Sequence, residues 1–237
     1  MKASDLFIKC LEEEGVSRIF GVPGEENADF MISLKQSKKI EFILCRHEQA
    51  AAFMADAYGR LTGKAGVCLS TLGPGVTNLM TGLADANMDR APVVAIIGQG
   101  STNRLHKESH QIMNSINMVK PISKWSQSIL SGKSITEIIR KAFKLAETEK
   151  PGVSVIELPE DVAKEEIDDK PINPILVRRP AADYRAIDVA LDLRKDSKTY
   201  GMFETTLLSE ENKNQLFSLF NNVFPISAGE LDIVIPA

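Results

Sequence analysis

Two hydrophobic periods alternate along the first two-thirds of the chain. Leu6, Phe7, Cys10 and Leu11 recur at helical spacing and the pattern stops at Gly15, which predicts an amphipathic helix capped by Ser4. A short strand, Arg18-Ile19-Phe20, then runs into the turn Gly21-Val22-Pro23-Gly24. The pattern returns to helix over 25–34, to strand over 41–45, and to an Ala-rich helix over 47–61 that closes at Gly63. Strand 66–71, helix 75–86 and the wholly apolar strand 92–97 follow. A later unit repeats the theme: a strand around 122–130, a helix over 134–146 and the strand Val153-Ser154-Val155-Ile156.

Strand-turn-helix repetition with continuous apolar strands predicts an α/β fold, a parallel sheet flanked by helices on both faces. Residues 159–180 are charged and contain several prolines, so they read as a linker leaving the domain. The pattern then degrades. A helix is expected to begin over 181–193 but breaks at Lys195-Asp196-Ser197-Lys198-Thr199. What pattern remains suggests an amphipathic helix over 208–224 and a terminal strand over 231–235. A stretch of about fifty such residues seldom supports its own core, so a short irregular, poorly ordered tail is expected.

Composition narrows the function classes. In 237 residues, 28 Lys+Arg against 32 Asp+Glu give a net charge of −4, with no basic cluster of the kind that binds nucleic acid. The longest strongly apolar run, 91–97, is too short to cross a bilayer, and the N-terminus lacks a signal peptide's apolar core. The expectation is a cytoplasmic protein with neither nucleic-acid nor membrane partners. Cys10, Cys45 and Cys68 are isolated among apolar neighbours, which points to buried, reduced packing residues rather than a zinc or redox site.

Open parallel sheets bind ligands beyond the carboxyl ends of their strands. Three loops there carry unusual residues: Gly21-Val22-Pro23-Gly24-Glu25-Glu26-Asn27, Cys45-Arg46-His47-Glu48-Gln49 and Leu72-Gly73-Pro74-Gly75-Val76-Thr77-Asn78. The third fails as a dinucleotide fingerprint. Asn78 stands where the last glycine belongs, Pro74 removes a backbone N–H, and no acidic residue ends the next strand. A tight, closely packed strand-to-helix turn remains its plainest explanation. Glu48 opens the Ala-rich helix. It is either a surface carboxylate complementing the helix dipole or, because Ala50 to Ala55 is so apolar, a carboxyl in a dry site that shares a proton with a ligand nitrogen.

Arg46 to Lys64 resembles the pyrimidine-binding domain of thiamine-diphosphate enzymes, and within them acetolactate synthase large subunits. Gly21-Val22-Pro23-Gly24, Thr71-Leu72-Gly73-Pro74-Gly75-Val76-Thr77-Asn78 and Ala84 to Val93 belong to the same pattern, in the same order and spacing. The resemblance runs from about residue 1 to about 191. It implies a pyrimidine-binding domain over 1–165, a linker over 166–182, and a truncated or divergent start of the family's central domain over 183–237. It further implies that Glu48 hydrogen-bonds N1′ of the aminopyrimidine and favours its imino tautomer, which readies the thiazolium C2 for deprotonation. Pro23, Gly24, Thr71, Gly73, Pro74, Gly75 and Asn78 would line the pyrimidine. Gln111, in His110-Gln111, would polarise the substrate, although it also reads as an ordinary polar loop residue. His47 is expected to orient the Glu48 loop.

The family divides its cofactor between two domains. The diphosphate and its Mg²⁺ belong to a domain marked by Gly-Asp-Gly, a tripeptide absent from this sequence, so no metal ligand is expected here. The implied reaction is decarboxylation of a 2-oxo acid such as pyruvate and carboligation to a second 2-oxo acid. It would require a homo-oligomer, dimer or higher, or a separate diphosphate-binding chain, and this chain alone is expected to be inactive. A truncated or frameshifted gene product, a split enzyme and a non-catalytic assembly module are the alternatives. His110-Gln111 resembles the catabolic, flavin-independent branch more than the branch that retains FAD.

Overall fold

The computed structural model describes residues 1–107, 109–148, 150–174 and 185. The elements expected over 181–193, 208–224 and 231–235 therefore lie outside the described residues, Arg185 excepted. The chain divides into two units, Met1–Val177 and Arg178–Ala237, and the sheet with its helices belongs to the first.

Among the described residues six strands, β1 (Arg18–Gly21), β2 (Glu41–Leu44), β3 (Gly66–Ser70), β4 (Val93–Gln99), β5 (Trp125–Ser128) and β6 (Val153–Pro159), form one sheet in the order β2-β1-β3-β4-β6-β5. Every pairing is parallel. The helices are α1 (Ala3–Glu13), α2 (Ala28–Gln36), α3 (Glu48–Thr62), α4 (Pro74–Met88), α5 (Ser115–Val119), α6 (Ile135–Glu147) and α7 (Glu160–Ala163). Alternate side chains of the central strands feed two separate cores. Val67, Leu69, Val94, Ile96, Ile156 and Leu158 pack with α1, α2 and α6, where Phe7 meets Phe30 edge-on at 5.4 Å. Cys68, Val93, Ala95, Ile97 and Val155 pack on the other face with α3 and α4. The expected α/β fold, a parallel sheet covered on both faces, is the observed one.

Local differences have local causes. The first helix starts at Ala3, and Ser4, fully buried, accepts a hydrogen bond from Ser33 Oγ of α2 instead of capping. Asp5 supplies the cap by accepting from the Lys2 N–H. Pro74 starts α4 one residue before the expected Gly75, because proline's fixed φ and missing N–H suit the first helical position. The strand expected around 122–130 shortens to β5, since Pro121 sits in a 3-10 turn just before it. Pro159, where the linker was expected to begin, ends β6, and α7 follows at once. Met1 and Ile167 exchange backbone hydrogen bonds of 2.9 Å, and Ile167 is buried, so the charged segment stays on the domain through that residue.

The three cysteines are free and buried. Burial pushes the Cys10 and Cys68 thiols up to about 12. At pH 8 their thiolate fraction is then roughly a thousandfold below that of an ordinary exposed thiol. Native protein should react with a thiol reagent at these two positions only on unfolding; rapid native labelling of Cys10 or Cys68, read by peptide mass mapping, would contradict this. No helix among the described residues is long and apolar enough to cross a membrane.

Candidate functional site

The carboxyl ends of β1, β2 and β3 bring the three unusual loops together. β1 and β3 are neighbours, and Val22 N–H donates to Leu69 O at 3.2 Å, tying the first loop to the third. A β carbon placed on Gly24 would lie 2.5 Å from Thr71 Cβ, so the two loops meet where only glycine leaves room. Gly24 N–H donates to Asn27 Oδ1 at 2.8 Å, and Thr71 Oγ1 donates to Glu26 Oε2 at 2.9 Å. The first bond closes the loop on itself, and the second fixes it against the end of β3.

β2 delivers the chain to α3. His47 caps this helix, its Nδ1 accepting from Gln49 N–H at 3.2 Å. Glu48 is the first residue of α3 and is buried. Its Oε2 accepts from Asn78 Nδ2 of α4 at 2.9 Å, whereas no described residue donates to Oε1. Oε1 lies 3.5 Å from where a β carbon on Gly75 would stand. The side chain is thus held by one oxygen and presents the other beside a glycine. Gly73, with φ +56°, makes the sharp turn that lets Pro74 open α4.

The segment carrying Gln111 folds onto the same loops. A β carbon on Gly73 would meet Gln111 O at 2.6 Å and Gln111 Cβ at 2.9 Å. His110 Nε2 lies 3.6 Å from Glu26 Oε1. Glu25, Glu26 and His110 each place one ligand atom within 4.8 Å of the others, yet Glu26 is already engaged by Thr71. Of the residues singled out in the sequence, Gly24, Glu48, Thr71, Gly73, Gly75, Asn78 and Gln111 therefore converge. Pro23, on the first loop, and Pro74, at the start of α4, are exposed.

Sequence reasoning missed the buried polar pair behind this site, Gln99 at the end of β4 and Glu157 in β6. Gln99 Nε2 donates to Glu157 Oε1 at 3.0 Å. Burial, opposed by hydrogen bonds from Ser128 and Gln99, holds the Glu157 carboxyl above its usual range. The available signal was a carboxylate inside the strand Val153-Ser154-Val155-Ile156-Glu157-Leu158, where the apolar pattern leaves it no route to water.

A carboxyl oxygen to which no described residue donates, set beside Gly75, has the chemistry to bond a nitrogen of a flat heteroaromatic ring. Comparison with known proteins agrees. Residues 1–118 match the family described as "Thiamine pyrophosphate enzyme, N-terminal TPP binding domain". Over 199 residues the chain is 41% identical to the "Probable acetolactate synthase large subunit" of Methanocaldococcus jannaschii, covering 84% of this chain and 34% of that protein. It is 40% identical over 184 residues to the "Acetolactate synthase" of Bacillus subtilis, covering 77% of this chain and 32% of that one. The chain thus spans about a third of the length of these curated relatives. With fold, loop constellation and sequence all in agreement, the chain belongs to the thiamine pyrophosphate enzyme family, its α/β unit being the N-terminal TPP-binding domain of a type similar to that of acetolactate synthase large subunits.

Proposed function

We propose that this chain supplies the pyrimidine half-site of an acetolactate synthase-like enzyme that decarboxylates pyruvate and joins the two-carbon fragment to a second 2-oxo acid. The observation that carries the reading is Glu48, buried, anchored by Asn78 through Oε2 and open at Oε1 beside Gly75. Because Oε2 already accepts the Asn78 amide proton, Oε1, the oxygen beside the glycine, is the one left to hydrogen-bond a ring nitrogen. Gly24, Gly73 and Gly75 leave room for the ring. Pro23, Thr71, Pro74 and Asn78 border it, and Gln111 would face the substrate. When bound, thiamine diphosphate supplies the carbanion-stabilising chemistry. Its diphosphate and Mg²⁺ would be held by a domain or chain beyond these 237 residues. The setting proposed is the cytoplasm.

Assembly with a further chain has its own support. The outer faces of α3 and α4 expose Phe53 at 38%, Met54 at 45%, Leu61 at 87% and Met88 at 81%. Exposed apolar side chains on these two packed helices favour association with a second copy or with a separate diphosphate-binding chain. A pyrimidine half-site alone is expected to bind weakly, with a Kd of roughly 1 mM. Titration of the chain with thiamine diphosphate, followed by amide NMR, should shift resonances of 21–27, 47–49 and 71–78. Absence of shifts in these loops at about ten times that concentration would overturn the reading.

A further inference from the structure

The segment carrying Gln111 has an unusual attachment. His110 and Gln111 both adopt positive φ, +35° and +59°, a conformation that costs a non-glycine residue energy and persists only where surroundings enforce it. The three residues that follow the first of these dock in succession. Gln111 lies against Gly73, and Ile112 Cδ1 would be 3.0 Å from a β carbon on Gly100. Met113 O accepts from Gln99 Nε2 at 3.0 Å.

Of these attachments the last is the one fixed from within the core. Gln99 is 3% exposed and Glu157 is 4% exposed. The Gln99 amide is fully committed: Nε2 donates both to Met113 O and to Glu157 Oε1, while Oε1 accepts from Gly100 N–H at 2.9 Å. Rotating the amide by half a turn would set its oxygen against two acceptors and its NH₂ against a donor, so one orientation alone satisfies the site. The His110–Glu26 contact cannot serve the same purpose, because His110 is 61% exposed and the separation is 3.6 Å.

We propose that Gln99 is a positioning residue that, braced by Glu157, sets the backbone of 111–113 and thereby the place of Gln111 at the substrate side of the site. The assignment of Gln111 to the substrate rests on the proposed function; the anchoring itself does not. A side chain that acts through another residue should affect the fit of the substrate more than the activation of the cofactor, which Glu48 governs from α3.

The test uses Gln99→Met, which keeps the length of the side chain and removes all three hydrogen bonds. Ser33→Ala serves as a control, since it deletes a buried hydrogen bond to Ser4 on the opposite face of the sheet. Native-state hydrogen exchange of the full chain should show the Ile112 and Ser115 amides, bonded to Ser109 O and Met113 O, exchanging roughly tenfold faster in Gln99→Met. Ser33→Ala should leave these two amides unaccelerated relative to the β4 amides. In the enzyme assembled with a diphosphate-binding half, Gln99→Met should raise KM for the 2-oxo acid roughly tenfold with kcat changed less than about threefold. Unchanged exchange at Ile112 and Ser115, or acceleration equal to that of β4, overturns the anchoring. Accelerated exchange with an unaltered KM leaves the anchor standing and refutes the placement of Gln111 at the substrate. Failure of unmodified protein to bind thiamine diphosphate refutes the proposed function instead.

Discussion

Replacing Glu48 with Gln in the assembled, cofactor-loaded enzyme is expected to lower acetolactate formation by about a hundred- to ten-thousand-fold, the range seen for loss of a positioned proton-transfer group. The substitution keeps the length and shape of the side chain. Its carbonyl oxygen can still accept from Asn78 Nδ2, the bond now made by Oε2 at 2.9 Å, so α3 and α4 should stay in place. What is lost is the carboxyl that would share a proton with a ring nitrogen, because an amide does not act as an acid or base in its place. The effect should therefore fall on kcat, with cofactor binding weakened only modestly and the melting temperature within a few degrees of the parent.

Two companion variants separate this from simple damage. Glu48→Asp retains the acid but withdraws it by one methylene, and should lose most of the activity because geometry governs proton sharing. Asn78→Ala removes the anchor while leaving the carboxyl, and should cause an intermediate loss. Activity of Glu48→Gln within tenfold of the parent would remove Glu48 from the mechanism.

The loops that converge here were legible in the sequence for a physical reason. Glycine and proline at Gly21 to Gly24 and Gly73 to Gly75 interrupt strongly apolar strands, and a parallel sheet gathers such interruptions at one edge. β4 was equally plain, since an unbroken apolar run fits a strand covered on both faces. The ends of elements were harder to read. Ser4 has the residue type of a cap, but burial against Ser33 decided its place, and nothing local reveals a partner in α2. The attachment of 160–167 depends on Val162, Ala163 and Ile167 finding the α1 side of the sheet, a contact across most of the chain. Gln99 and Glu157 stayed unread because a buried polar residue acquires meaning only with its partner, and these two are joined by strand register, not by spacing.

Gly66→Ala is expected to be the most destabilising small substitution in the domain, with a loss of about 3 kcal/mol or more. Gly66 begins β3, and a β carbon there would lie 2.0 Å from Ala55 O and 2.7 Å from Ala55 C. Those atoms are backbone of α3, so no side-chain rotation can relieve the overlap. Either the helix retreats from the sheet by more than an ångström or β3 gives up its pairing, in which Gly66 N–H donates to Pro92 O at 3.0 Å. Retreat would open the packing of Ala51 and Ala55 in the core on this face of the sheet, where close packing leaves no slack. For a domain of this size the loss corresponds to a melting temperature lower by roughly 6–12 °C. Gly15→Ala is the fitting comparison: φ is +78° there, but nothing lies within 4 Å of the added carbon. Its penalty comes from backbone conformation alone, about 1 kcal/mol. Thermal and urea unfolding of the two variants would measure the difference, and a Gly66→Ala protein that melts no lower than Gly15→Ala would show that α3 does not press on β3 as closely as these distances require.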